Sequence, residues 1–118
     1  MFDFEKLIVY QKSTEFNVKI FKFLLSNSRL EKCYKDQLRR AAFSIPLNIA
    51  EGTGRITKPD RKNFYVIAKG STFECVAIID QLLKLEIISK EIYSEIYKLA
   101  LEITNMLVGL EKSLSILK

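Results

Sequence analysis

The chain has 118 residues, 48% of them hydrophobic, with only four glycines and two prolines, which describes a single domain with a real core and excludes a disordered or linker-rich protein. There is no histidine, which removes the usual general base, the commonest zinc ligand and the Glu-x-x-His pairs of di-iron bundles. The net charge of +5 is local: residues 35–62 hold seven basic groups against three acidic, and the remainder twelve against eleven.

The opening MFDFEK lacks the basic-then-apolar order of a signal peptide, and no apolar run reaches the ~18 residues of a membrane span, so the cytoplasm is the expected location. A first helix is expected over 4–25, capped by Asp3, with Phe4, Ile8, Val9, Phe16, Ile20, Phe23 and Leu24 on its apolar side. Ser26-Asn27-Ser28 reads as a turn, and Ser28 with Glu31 as a capping box opening a second helix over 29–53. At 100° per residue, Leu38, Ala41, Ala42, Ile45 and Ile49 form one stripe of that helix. Gln37, Arg40, Ser44, Asn48, Glu51 and Arg55 form a polar row beside it. Pro46 must bend the helix or cost it a hydrogen bond at residue 42. Gly52 and Gly54 are expected to close it through left-handed backbone.

Thr57-Lys-Pro-Asp60 predicts the start of a third helix over 58–86, with Thr57 as cap and Pro59 harmless in the first turn. Its apolar stripe is Phe64, Ala68, Ser71, Cys75, Ile78, Leu82 and Leu85. Gly70 costs such a helix about 1 kcal/mol relative to Ala, and close approach of the second helix is the expected return. Ser89 predicts the cap of a fourth helix over 90–117, with a heptad of Ile92, Ile96, Leu99, Ile103, Met106, Leu110, Leu114 and Leu117. The reading is all-α: one domain, residues 1–118, folded as an antiparallel up-down-up-down four-helix bundle. Val66 and Phe73 on the third helix, with Tyr93 and Tyr97 on the fourth, exceed what one seam per helix needs. They are candidate subunit contacts. Cys33 and Cys75 show no ligand spacing and read as buried thiols.

Three stretches carry a resemblance to a known family: FEKLIVYQKSTEF (residues 4–16), RRAAFSIPLNIAEGTGR (39–55) and FYVIAKGSTFE (64–74). The chain resembles the bacterial four-helix bundle proteins, also called the ribosomal S23 or 23S rRNA intervening-sequence protein family. The family usually has Trp at Tyr10 and Ala at Ser13. The resemblance implies a ring-shaped homo-oligomer, usually a pentamer. It also implies kinship with accessory proteins of diversity-generating retroelements, basic rings associated with nucleic acid and a reverse transcriptase. It implies no settled activity.

Two constellations remain to be weighed. Arg40, Ser44, Asn48 and Glu51, with Glu74, either offer a carboxylate pair for acid–base work or form a structural network. In the second case Arg40 pairs with one or both acids, and Ser44 and Asn48 satisfy backbone groups freed by Pro46. No nucleophile or metal ligand set accompanies the acids, which favours structure over catalysis. The basic cluster of Arg39, Arg55, Lys58, Arg61 and Lys62 is either solvated surface or a phosphate-binding rim, with amides beside Gly54 available to an anion. Gly52-x-Gly54-Arg55 is no P-loop, since no strand precedes it. Tyr10, Tyr65, Tyr93 and Tyr97 fit core or interface positions better than base stacking. No catalytic residue, metal or cofactor is expected. The leading reading is a non-enzymatic homo-oligomer that binds RNA or DNA backbone through the basic rim. The alternative is a protein-interaction scaffold, for example an accessory subunit of a reverse transcriptase.

Overall fold

The computed structural model describes residues 1–116. The expected contribution of Leu117 lies outside them. A short 3-10 turn, Asp3–Lys6, precedes four helices: α1 (Ile8–Ser26), α2 (Lys32–Thr53), α3 (Lys58–Lys84) and α4 (Lys90–Ile116). There is no strand among the described residues. At 1.5 Å per residue, the 27-residue α3 is about 40 Å long, which sets the long axis of a 50 × 24 × 22 Å rod.

Each helix packs on two neighbours, in the cyclic order α1, α2, α3, α4, and the α2–α3 contact is the most extensive. Paired residues run in opposite senses along adjacent helices. Lys12 meets Glu102 and Lys19 meets Glu95 between α1 and α4. Between α2 and α3, Gln37 meets Glu74, Ser44 meets Ser71 and Thr53 meets Tyr65. The core is mainly aliphatic: Phe16, Ile20, Leu38, Ile45, Ile49, Ile79, Leu82, Ile96, Ile103 and Leu107 are all fully buried, with Phe23 and Tyr65 nearly so.

Several local expectations are corrected. The chain does not enter α1 at residue 4. Leu7 is extended (φ −76, ψ 129), and α1 starts after it without a side-chain cap, so Asp3 caps nothing there. The 3-10 turn is held instead by an aromatic cluster, with Phe2 stacked on Phe4 and Phe4 edge-on to Tyr10 at 4.8 Å. The Gln11 side chain donates to the Glu5 carbonyl. Ser28 and Glu31 form no capping box; α2 begins at Lys32, and Glu31 contributes only its carbonyl to the first turn. Leu30 explains this, because it is buried under the end of the bundle and pulls residues 28–31 out of helical register.

Thr57 accepts from the Asp60 amide at 3.3 Å and Ser89 from the Ile92 amide at 3.2 Å, capping α3 and α4. The stripe of α3 is rotated slightly from expectation. Tyr65, Thr72 and Ile79 are buried, Phe64 and Ile78 are half-buried, and Leu85 is exposed. Ser13 is tolerated in the core because its hydroxyl donates to the Tyr10 carbonyl at 2.7 Å. Cys33 is exposed, contrary to expectation, and only Cys75 is buried.

The two glycine expectations exchange places. A Cβ at Gly52 would lie 2.9 Å from Phe64 Cβ and 3.2 Å from the Arg61 carbonyl, so Gly52 is where α3 closes on α2. Gly70 has no atom within 4 Å of such a Cβ and faces outward. Neither Gly52 nor Gly54 is left-handed; among the described residues the one positive φ outside glycine belongs to Glu86.

Candidate nucleic-acid interface

The α2–α3 connection is a tight corner at one end of the bundle. Gly54 stays in right-handed backbone (φ −83, ψ −6), and its N–H bonds the Ala50 and Glu51 carbonyls. The Arg55 N–H bonds the Gly52 carbonyl at 3.1 Å. The amides expected to be free for an anion are therefore occupied within the corner. Thr57 and Pro59 then start α3 at Lys58, so Lys58, Arg61 and Lys62 fall on its first turn and the start of its second. A helix N-terminus carries partial positive charge, which adds to these cations. The signal for this helix start, Thr57 followed by Pro59 and Asp60, is legible in the sequence.

The five candidate cations do not form one group. Arg39 lies sixteen residues before Arg55 on α2, about 24 Å away along the axis, and its guanidinium is 3.4 Å from Asp36. The Asp36 carboxyl is held below the usual carboxylate range, chiefly by the hydrogen bond from Lys32, with Arg39 contributing charge. Arg55 is also committed: it donates to Glu51 at 2.7 Å and lies over the Phe64 ring at 4.7 Å. Arg61 donates its Nε–H to the Arg55 carbonyl at 2.7 Å, which leaves its terminal nitrogens outward. Lys58, Arg61 and Lys62 form no ion pair among the described residues. The rim reduces to these three, with Arg55 as their support.

The proposed network around Arg40 is not formed. Arg40 is exposed and makes no ion pair among the described residues. Glu51 takes Arg55 four residues on, the shorter reach, and Glu74 accepts from Gln37 at 3.4 Å. Ser44, Asn48 and Ser71 do come together. Asn48 donates to the Ser44 carbonyl and hydroxyl, and the Ser44 and Ser71 hydroxyls are 2.7 Å apart. Asn48 thus serves the Ser44 carbonyl and not the one that Pro46 leaves unbonded at Ala42. Glu51 and Glu74 are both exposed, which is the wrong environment for a pair meant to share a proton. Among the described residues no cluster of three or more His, Cys, Asp or Glu could hold a metal ion, and no helix is long and apolar enough to cross a membrane.

The candidate contact residues lie along the outer side of α3 and α4. Phe73 is 57% exposed, Val66 and Tyr97 are exposed, and Tyr93 is half-buried and stacked on Tyr97 at 5.7 Å. Phe73, Tyr93 and Tyr97, with Val76 and Leu101, edge an open groove of about 560 Å³, in which Asp80 is the single charged lining residue; Val66 lies outside it. Burial, and then the Asp80 charge, pushes the Tyr93 phenol up from its ordinary value. Sequence reading missed a second exposed apolar row, Phe43 and Leu47 on α2, with Phe43 edge-on to Phe21 of α1 at 4.8 Å. The signal was present, since both positions fall off the α2 stripe.

Four helices, each in contact with two others around one aliphatic core, define a helical bundle. Residues 5–109 match the family model described as 23S rRNA-intervening sequence protein, and the chain belongs to that family. The bundle is similar to the crystal structure of a protein of unknown function from the S23 ribosomal protein family of Bacteroides thetaiotaomicron. The two share 30% identity and a TM-score of 0.82, over 89% of this chain and 99% of that one. No curated protein matches the chain.

Proposed function

We propose that the chain is a non-enzymatic, self-associating bundle whose α2–α3 end holds the sugar–phosphate backbone of RNA or DNA. The observation that carries this reading is the trio Lys58, Arg61 and Lys62, gathered at one helix start without a carboxylate partner among the described residues. The opposite running of paired residues on neighbouring helices supports an antiparallel up-down-up-down bundle, in which this corner lies at one end of the rod. The family's association by name with a 23S rRNA intervening sequence supports an RNA partner. The exposed apolar side of α3 and α4 supports self-association. A ring repeats the trio around an axis and turns a weak patch into a continuous one; the number five comes from the resemblance alone.

A second reading is favoured by the same apolar groove: a scaffold or accessory subunit that meets another protein, such as a reverse transcriptase, with no direct nucleic-acid role. The two separate in one experiment. The triple variant Lys58→Gln, Arg61→Gln, Lys62→Gln is compared with the parent for binding to structured RNA and duplex DNA at low salt. Loss of binding with the assembly intact is the expected result. A parent that binds neither, while correctly assembled, leaves the scaffold reading alone.

A further inference from the structure

One chain presents two unlike surfaces, and they match in length, charge and shape. The first is a row on α2: Arg40, Phe43, Leu47, then Ala50. Phe43 is 47% and Leu47 64% exposed, and Arg40 is a cation with no ion-pair partner among the described residues. The second is the α3 side of the groove, Asp80, Ala77 and Phe73, continued one turn beyond it by the exposed Gly70. Arg40 to Leu47 and Asp80 to Phe73 each span seven residues of helix, about 10 Å. The row on α2 borders α1 and the groove on α3 borders α4, so no chain can satisfy one with its own other.

We infer that α2 of one copy lies antiparallel along α3 of the next, with Arg40 at Asp80, Phe43 over Ala77, Leu47 against Phe73 and Ala50 over Gly70. This rests on the self-association proposed above and names the surfaces that carry it. In this register each large side chain meets a small one or an apolar partner. Arg40 reaches Asp80, the groove's one acid, whose Oδ2 already takes Lys84 at 2.7 Å, so the guanidinium joins that pair at the other oxygen and gains from the faces of the Tyr93–Tyr97 stack. Gly70, which nothing within the chain requires, is then where the next backbone comes close. Unlike surfaces make a head-to-tail contact, which closes into a ring or runs on as a filament.

The test is complementation between two damaged copies. Leu47→Asp spoils the row and Phe73→Asp spoils the groove; both sites are exposed in the single chain, so circular dichroism and melting should match the parent. By sedimentation, each variant alone is expected to be monomeric at concentrations where the parent is assembled. Mixed one to one they should form a dimer and nothing larger, because one intact row then meets one intact groove. Arg40→Asp and Asp80→Arg should each weaken assembly at least tenfold, and the double exchange should recover most of it. That pair decides the question should either aspartate variant misfold. Variants that stay assembled, a mixture that stays monomeric, or an exchange without recovery each overturn this register while leaving self-association standing. A monomeric parent removes self-association itself.

Discussion

At Glu86 the backbone turns left-handed (φ 59) as α3 closes: the Ile87 N–H reaches back to the Leu82 carbonyl at 2.9 Å, and the Glu86 N–H to Leu83 at 3.0 Å. This is a Schellman motif with glutamate where glycine is usual, and a non-glycine residue there carries about 1 kcal/mol of strain. Glu86→Gly is therefore expected to stabilise the fold by about that amount, read as a higher denaturant midpoint with an unchanged slope. Gly52 is the opposite case. A methyl group there meets Phe64 Cβ and main chain at Arg61, neither of which can swing away. Gly52→Ala is expected to cost about 1–3 kcal/mol through overpacking. An unchanged melt would mean that α3 can ride up without loss. Both positions show why single glycines are hard to read in a sequence. Gly52 looked like a helix terminator and Gly70 like a contact, and only the rotation of α3 against α2 decides which one meets a neighbour.

Among the elements, the caps at Thr57 and Ser89 were legible because they depend on residues within one turn. Ser28 and Glu31 carried an equally local signal and failed, because burial of Leu30 outweighed one capping bond. The Arg40 network failed for a similar reason. Helical neighbours compete first, so Glu51 took Arg55, and the fate of Glu74 hung on how far α3 is turned. Cys75, beside Glu74 in the interior of α3, is fully covered. Desolvation, and then the Glu74 charge, pushes its thiol from 9.0 up to about 12. Between those values the unfolded chain loses this proton and the folded chain keeps it, so the unfolded state binds fewer protons and stability falls as pH rises. The contribution is complete below pH 9 and fades towards pH 12, on the order of 1 kcal/mol over the first unit. The urea midpoint of Cys75→Ala should accordingly decline less steeply than the parent's between pH 8.5 and about 10.5. Parallel declines would remove this account.

For the whole molecule, the question is whether three cations at one end of a rod suffice to hold a polyanion. A single trio would be a weak site, and the proposed self-association would strengthen it by repeating it around an axis. Binding to duplex DNA should then fall with salt at a log–log slope near −0.9 for each phosphate neutralised, or about −2.7 for a trio acting alone. A steeper slope in the assembled parent, reduced to the trio's value in a monomeric Leu47→Asp variant, is the expected outcome. A slope independent of assembly would say that neighbouring copies do not share one strand. The general architecture was legible because the stripe of α2 and the Ile96, Leu99 and Ile103 steps of α4 dictate buried faces whatever surrounds them, although Ile92 is exposed and Leu107 is buried where Met106 was expected. The gathering of the rim was legible only in part: charge density along a sequence ignores the pitch that carries Arg39 a rod's half-length from Arg55.

The hydroxyl pair of Ser44 and Ser71 has one more effect. Aliphatic ridges of leucine and isoleucine are nearly interchangeable, so α2 sliding on α3 by a full turn, about 5.4 Å, would find tolerable new contacts. The serine pair would not, since the Ser71 hydroxyl would lose Ser44, which stays with Asn48 on α2. They act as a detent, and the alignment they choose is also the one that sets the height of the Lys58 corner above the rest of the rod.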